Sequence, residues 1–205
     1  MHAIITDGSI SKYVNHPKPL VIGDVQYPAR IFSAWTASEL AAIGIIEVTF
    51  DDSNKKDEQW YINTNQTFTY DADAGTVTAA YGTATAKAHA DRNATDEDGV
   101  ELDPVVVIEG LKTKFIRTVK AQAKVLLNET DWYITRKAEK NTAIPSAITT
   151  WRDGIRTKQA AMETSITNAS DTPALETLYT YVNTADEGDP VVMERPLGEF
   201  PELGS

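Results

Sequence analysis

The period of the apolar residues changes once along this chain, near residue 111, and that change limits the fold more than any other feature. Before it, Val, Ile, Thr and Tyr come in short runs bounded by Gly, Pro, Asn and Asp, the pattern of strands and turns. After it, Leu111, Phe115, Val119, Ala123 and Leu127 recur at steps of four, the stripe of a helix with one buried face. A chain with strands first and helices second is expected to be α+β: a small N-terminal β-rich module followed by a C-terminal α-helical module. At 205 residues it is long enough for one large domain or two small ones. It has no cysteine, which excludes disulfides, thiolate metal sites and a cysteine nucleophile.

In the β-rich part, residues 1–86, His2–Thr6 and Ile10–Val14 flank the turn pair Asp7-Gly8 and predict a hairpin. Leu20–Ile22 and Val25–Tyr27 flank Gly23-Asp24 in the same way. Thr36 and Glu39 have capping-box spacing ahead of Leu40–Ile43, which predicts one short helix ended by Gly44. Ile45–Phe50, Gln59–Thr64, Thr67–Tyr70 and Val77–Tyr81 are expected strands. Residues 87–110 are rich in Ala, Asp, Asn, Glu and Gly and predict an acidic linker, with a fraying helix from Lys87 as the alternative. In the helical module, residues 111–182, a short helix follows Thr130-Asp131, and a long one from Ser146 to Ala169 places Ile148, Trp151, Ile155, Met162 and Ile166 on one stripe. Pro173 suits the first turn of a last helix. Residues 183–205 predict an extended acidic tail.

The net charge of −11 argues against nucleic-acid binding, which draws its affinity from clustered cations. The charge is unevenly placed: residues 91–110 carry a net −6, residues 111–170 a net +6 and residues 171–205 a net −7. The basic helices, with Trp132, Tyr133 and Trp151 among them, are open to three readings: a nucleic-acid surface, a solvated face, or a dock for the chain's own acidic tail or an acidic partner. Internal complementarity needs no outside ligand, which weighs against nucleic acid. No stretch nears the roughly 18 apolar residues of a membrane helix. The first residues lack the basic and apolar regions of a secretory signal, so a cytosol, or a particle assembled in one, is the expected compartment.

Sites of chemistry are hard to find. His2, His16 and His89 stand in separate segments, with no Asp or Glu at metal-ligand spacing. Asp71-Ala72-Asp73-Ala74-Gly75 begins like a calcium loop but runs into a strand without the closing Glu, so a hairpin turn is expected. Asp51, Asp52, Asp57 and Glu58 are interleaved with Lys55 and Lys56, which suits a solvated loop better than an acid–base pair. There is no G-x-S-x-G elbow, phosphate loop or dinucleotide fingerprint. No cofactor, no metal and no enzyme activity are expected.

The segment Leu126-Leu127, Thr130-Asp131-Trp132, Arg136, Glu139, Ile144-Pro145, Trp151-Arg152 and Ile155-Arg156 resembles the C-terminal region of tail-assembly-chaperone and tail-fibre-assembly-like proteins of tailed bacteriophages. Ile31–Thr36, Ala42–Ile45, Tyr81–Lys87 and Pro196–Pro201 resemble pieces of marine-phage proteins with the same helical tail. The resemblance implies a non-catalytic tail or fibre component, or a fibre-assembly factor, located in the virion tail or in the host cytoplasm during assembly. Its partners would be other tail or fibre proteins, with no nucleic acid and no membrane. Self-association through 111–127 and 146–169 is expected, and a trimer would suit fibre geometry.

Read from residue types alone, the same motif offers candidate contacts at Asp131, Trp132, Arg136, Glu139, Trp151, Arg152 and Arg156. Thr130 or Asp131 can cap a helix, Arg136 and Glu139 are spaced for a surface ion pair, and Arg152 and Arg156 are spaced to grip a carboxylate or carbonyl. Two roles stay open: Trp132 and Trp151 packed together where two helices meet, with Arg136 and Glu139 closing the rim, or direct contact with a partner. The alternative function is a receptor- or glycan-binding virion module, stacking sugars on Trp60, Tyr61, Phe68, Tyr70 and Tyr81. A hydrolase is a third class, for which no carboxylate pair stands out.

Overall fold

A computed structural model describes residues 1–204 and shows an α+β protein, with a curled sheet in the N-terminal half and helices in the C-terminal half. The chain divides into two compact units, Met1–Thr85 and Ala86–Ser205.

In the first unit, β1 (His2–Thr6) and β2 (Ser9–Val14) form the expected hairpin, with Asp7 and Gly8 both at positive φ, as its tight turn requires. A second hairpin, β3 (Leu20–Ile22) with β4 (Val25–Tyr27), leads to two short helices, α1 (Ile31–Ala34) and α2 (Ala37–Ala42). The capping box is present. Thr36 N–H donates to Glu39 Oε2 at 2.7 Å and Glu39 N–H donates to Thr36 Oγ1 at 3.3 Å. The carboxylate accepts from Thr36 N–H and also from the Thr36 hydroxyl, at 2.8 Å, and these two bonds hold it below its usual range. Gly44 turns the chain at φ 77°, where a Cβ would lie 2.7 Å from the Ile5 carbonyl oxygen.

Next come β5 (Ile45–Asp51), β6 (Tyr61–Ile62), β7 (Gln66–Asp71), β8 (Thr76–Tyr81) and the two-residue β9 (Thr85–Ala86). The five-stranded sheet runs β2-β1-β5-β8-β7. Only β5 and β8 are parallel, because the long connection between them lets β8 return beside β5 in the same direction. The rings of Tyr13 on β2 and Phe68 on β7 lie 4.8 Å apart, so the two edge strands approach and the sheet curls. Alternation along the strands sends residues to opposite faces. Ile4, Val14 and Ile45 pack under Leu20, Ile31 and Leu40 on one face. Ala3, Val48, Val77 and Ala79 pack with Phe68 and Tyr70 on the other.

In the second unit, β10 (Arg92–Asn93) pairs with β11 (Val107–Ile108) ahead of α3 (Leu111–Asn128). After α4 (Asp131–Lys140) come α5 (Ser146–Asn168) and α6 (Thr172–Tyr179). Then β12 (Val182–Asn183) pairs with β13 (Met193–Glu194). The two stripes meet: Val119 and Ala123 of α3 are buried, as are Trp151, Ile155, Met162 and Ile166 of α5.

In the first unit, Ile31–Ala34 is a second short helix where one was expected, and the strand expected over Gln59–Thr64 is only Tyr61–Ile62. Two longer segments of the second unit differ further from the sequence expectation. Residues 87–110, expected as a linker, belong to the second unit and are fastened to its helices. Gly110 starts α3 with no side chain to cap it, and Asp91 does so from a distance. Asp91 accepts from Gly110 N–H at 2.7 Å and from the Thr113 hydroxyl at 2.9 Å. A Cβ at Gly110 would lie 2.4 Å from the Ala90 carbonyl, so the approach admits only glycine. At the far end, the Thr172 hydroxyl donates to the Lys87 carbonyl at 2.8 Å, and His89 Nε2 lies 3.0 Å from the Ala169 carbonyl. Residues 183–205, expected as an extended tail, contain the β12–β13 hairpin and then a strap laid on the helices, in which Leu197 is buried.

Candidate functional site

Two of the motif residues, Asp131 and Arg152, meet at the corner where α3 ends and α4 begins. A helix end leaves its last carbonyls without intrahelical partners. Arg152, from the second turn of α5, reaches this one. Its Nη1 donates to the Leu127 carbonyl and to Thr130 Oγ1, both at 2.7 Å, and its Nη2 donates to Asp131 Oδ1 at 2.8 Å. The cation thus sits at the negative end of one helix dipole and beside an acid in the first turn of the next helix. Its side chain is 8% exposed, whereas that of Asp131 is 55% exposed. Arg152 Nε is buried with no partner among the described residues. Asp131 and Arg152 therefore form one structural clamp.

The remaining motif residues separate. Trp132 does not pack on Trp151. It is exposed and lies against Tyr133, with the ring centroids 3.7 Å apart. The Arg136 guanidinium covers both rings, 4.7 Å from Trp132 and 5.2 Å from Tyr133. That position takes Arg136 away from Glu139, which is exposed, and no ion pair joins them among the described residues. Arg156 does not join Arg152 in a grip: it points outward and pairs with Asp153 at 3.0 Å. Burial of one arginine and exposure of the other separates two residues that the helical spacing had put together.

Trp151 marks a second cluster. It packs with Ala123, Ile155, Leu126, Leu127 and Phe200, and its indole N–H donates to the Pro201 carbonyl at 2.9 Å. The strap is held above this point by Arg195 and Glu199, 2.7 Å apart. The Arg195 guanidinium lies 5.5 Å from the ring centres of both Tyr179 and Tyr181. Burial pushes the Tyr179 hydroxyl up to about 12, against the opposing charge of Arg195. The Tyr181 hydroxyl donates to Glu199 at 2.5 Å, and this bond raises its pKa. None of Leu197, Glu199 or Phe200 was singled out by spacing. The available signal was Trp151, whose indole N–H needs a partner when buried.

Between the strap and α3 runs a groove of about 870 Å³, lined by Ala121, Val125, Leu126 and Phe200, with Arg117 and Glu199 among its rim residues. Cations of the basic segment are partly occupied by the chain itself. Arg117 pairs with Glu109 at 2.6 Å, Lys120 with Glu163 at 3.3 Å, and Lys112 donates to the Thr167 carbonyl at 2.6 Å.

In the first unit, the carboxylates weighed for chemistry hold turns. Asp71 accepts from the N–H groups of Asp73 and Ala74, Asp51 from that of Ser53, and Asp57 from that of Gln59. The bonds to Ser53 lower the Asp51 pKa. The His2 ring lies tilted against Phe32, with centroids 4.9 Å apart, and desolvation lowers its pKa, helped by the N-terminal charge and opposed by Glu47. No group of three or more metal-ligating side chains occurs among the described residues. The aromatic set considered for sugar stacking is divided: Trp60 is buried, Phe68 and Tyr70 pack on the core, and Lys56 and Lys55 lie over Tyr61 and Tyr81.

No family model matches this chain, and no curated protein or solved structure does either.

Proposed function

We propose that this chain is a non-catalytic, tail-associated phage protein that acts by binding other proteins, either as a component of the tail or fibre or as a factor in fibre assembly. One observation supports binding as its work. The second unit leaves apolar side chains in solvent on both of its hairpins, at Val105–Ile108 and at Val191–Met193, and on α3 at Val125. Clustered apolar exposure of this kind marks contact surfaces. The setting rests on the sequence resemblance, whose motif builds the Arg152 clamp and the Trp151 cluster that hold those surfaces in place. Its place of action is then the virion tail, or the host cytoplasm during assembly.

The test is quantitative mass spectrometry on purified particles of the encoding phage and on the infected lysate. A fixed copy number per particle, in multiples of three or six, is the expected result for a built-in component. Abundance in lysate with absence from particles identifies an assembly factor. Absence from both, or expression unlinked to particle production, overturns the proposal.

A further inference from the structure

The groove on α3 and the β12–β13 hairpin lie side by side and have complementary chemistry. The outward face of α3 presents Ala121 and Val125 between Lys114, Arg117 and Lys124, and Val125 is 63% exposed. Apart from Arg117, this face is basic without an ion-pair partner among the described residues. The hairpin is the converse. Its stem exposes Val182, Val191, Val192 and Met193, with Val191 at 70%. Its tip carries Asp186, Glu187 and Asp189.

Those three carboxylates are free for an outside cation. The turn is held by Asn183 instead, whose Oδ1 accepts from the N–H groups of Ala185 and Val192 at 3.2 and 3.0 Å. In the other acidic hairpin, by contrast, Asp96 is bound to its own turn through the N–H groups of Asp98 and Val100. Two paired strands of two residues each are barely stable in water unless something covers them. The hairpin does not fill the groove of its own chain, since its valines stay in solvent. The Tyr181–Glu199 bond nevertheless fixes its base at the groove's rim.

We propose that the β12–β13 hairpin of one copy seats in the α3 groove of a second copy of this chain, valines on Ala121 and Val125, acidic tip on Lys114 and Lys124. The inference deepens the protein-binding function above by naming one partner. Because hairpin and groove are neighbouring but different patches, the contact can be returned in a two-fold dimer or passed on around a ring of three.

The experiment is sedimentation equilibrium on the full chain, with circular dichroism to confirm folding of each variant. The wild type is expected to associate. Val125→Glu in the groove and Val191→Glu on the hairpin, both at exposed positions, should each weaken association at least about tenfold. A mixture of the two variants retains one intact hairpin–groove contact and should form heterodimers. Charge reversal at Lys114 and Lys124 should also dissociate the protein. Adding a variant with Lys at positions 186, 187 and 189 should restore association with that reversed groove. A wild type that stays monomeric up to about 100 μM overturns the proposal. So does association that survives both glutamate variants, or reversed pairs that do not recombine. Failure here leaves the particle copy number untouched, and absence from particles leaves self-association untouched, so the two proposals fail separately.

Discussion

The two units solve the same problem in different ways. The first buries both faces of its sheet, one under the β3–β4 hairpin and the short helices, the other by curling until Tyr13 meets Phe68. Many of its turns and caps come from residues two or three positions away, as with Asp71 and Ala74 or Thr36 and Glu39, although Asn54 also reaches the Tyr81 carbonyl and Thr64 the Gly82 N–H. The second unit is fastened by bonds between distant parts of the chain: Asp91 to Gly110, Thr172 to Lys87, Arg152 to Leu127, Trp151 to Pro201. It also leaves both hairpins and the outer face of α3 in water. The first unit also exposes apolar side chains, at Val21, Val25, Phe50 and Ile62, but they are scattered over separate strands, whereas those of the second unit lie in runs at Val105–Ile108 and Val191–Met193.

The largest effect should come from Arg152→Ala. It removes a buried cation from three acceptors, and about 3 kcal/mol of stability should be lost, below the upper range for buried pairs because Asp131 can rehydrate. Peptide-resolved hydrogen exchange should show the loss in residues 111–168 and leave 1–85 unchanged. Equal loosening in both units would break the contrast. Trp151→Phe deletes the indole N–H and part of the buried ring's packing volume. About 2 kcal/mol should go, with the fastest exchange in the strap at 195–203. Thr36→Ala is the counterpart in the first unit. Removing the cap should cost about 1 kcal/mol and loosen only α2 and its neighbours.

The smallest effect is a pH dependence at the start of α3. The bonds from Gly110 and Thr113 lower the Asp91 pKa in the folded chain. Its contribution is therefore complete above the ordinary carboxylate range and lost as pH falls through the depressed folded value. Asp91→Asn should flatten that dependence in the amide exchange of residues 110–114. An unchanged acid profile would mean that Asp91 does not set it.

These two modes of fastening explain what could be read from the chain. Asp7-Gly8, the Thr36–Glu39 box, Pro173 and the apolar stripes at 111–127 and 148–166 are local patterns, and each became the expected element. The Arg152 clamp was only half legible. Its members were singled out, yet helical spacing cannot tell that Arg152 turns inward while Arg156 turns outward. The ties of 87–110 were not foreseen, and docking of the acidic tail on the helices was one of three open readings with no contact assigned, because the partners lie 19 to 85 residues away and the segments themselves are polar or proline-rich. Polar segments were expected to be loose, but backbone and hydroxyl bonds to helix ends fastened them.

On the binding function proposed above, the second unit is completed by protein contact and the first is not. Amide exchange on the full chain at low and high protein concentration tests this most directly. Protection should rise with concentration at 114–126 and 182–194, while 1–85 exchanges at the same rate throughout. Concentration-independent exchange across the second unit, or a rise centred on the first, would contradict it.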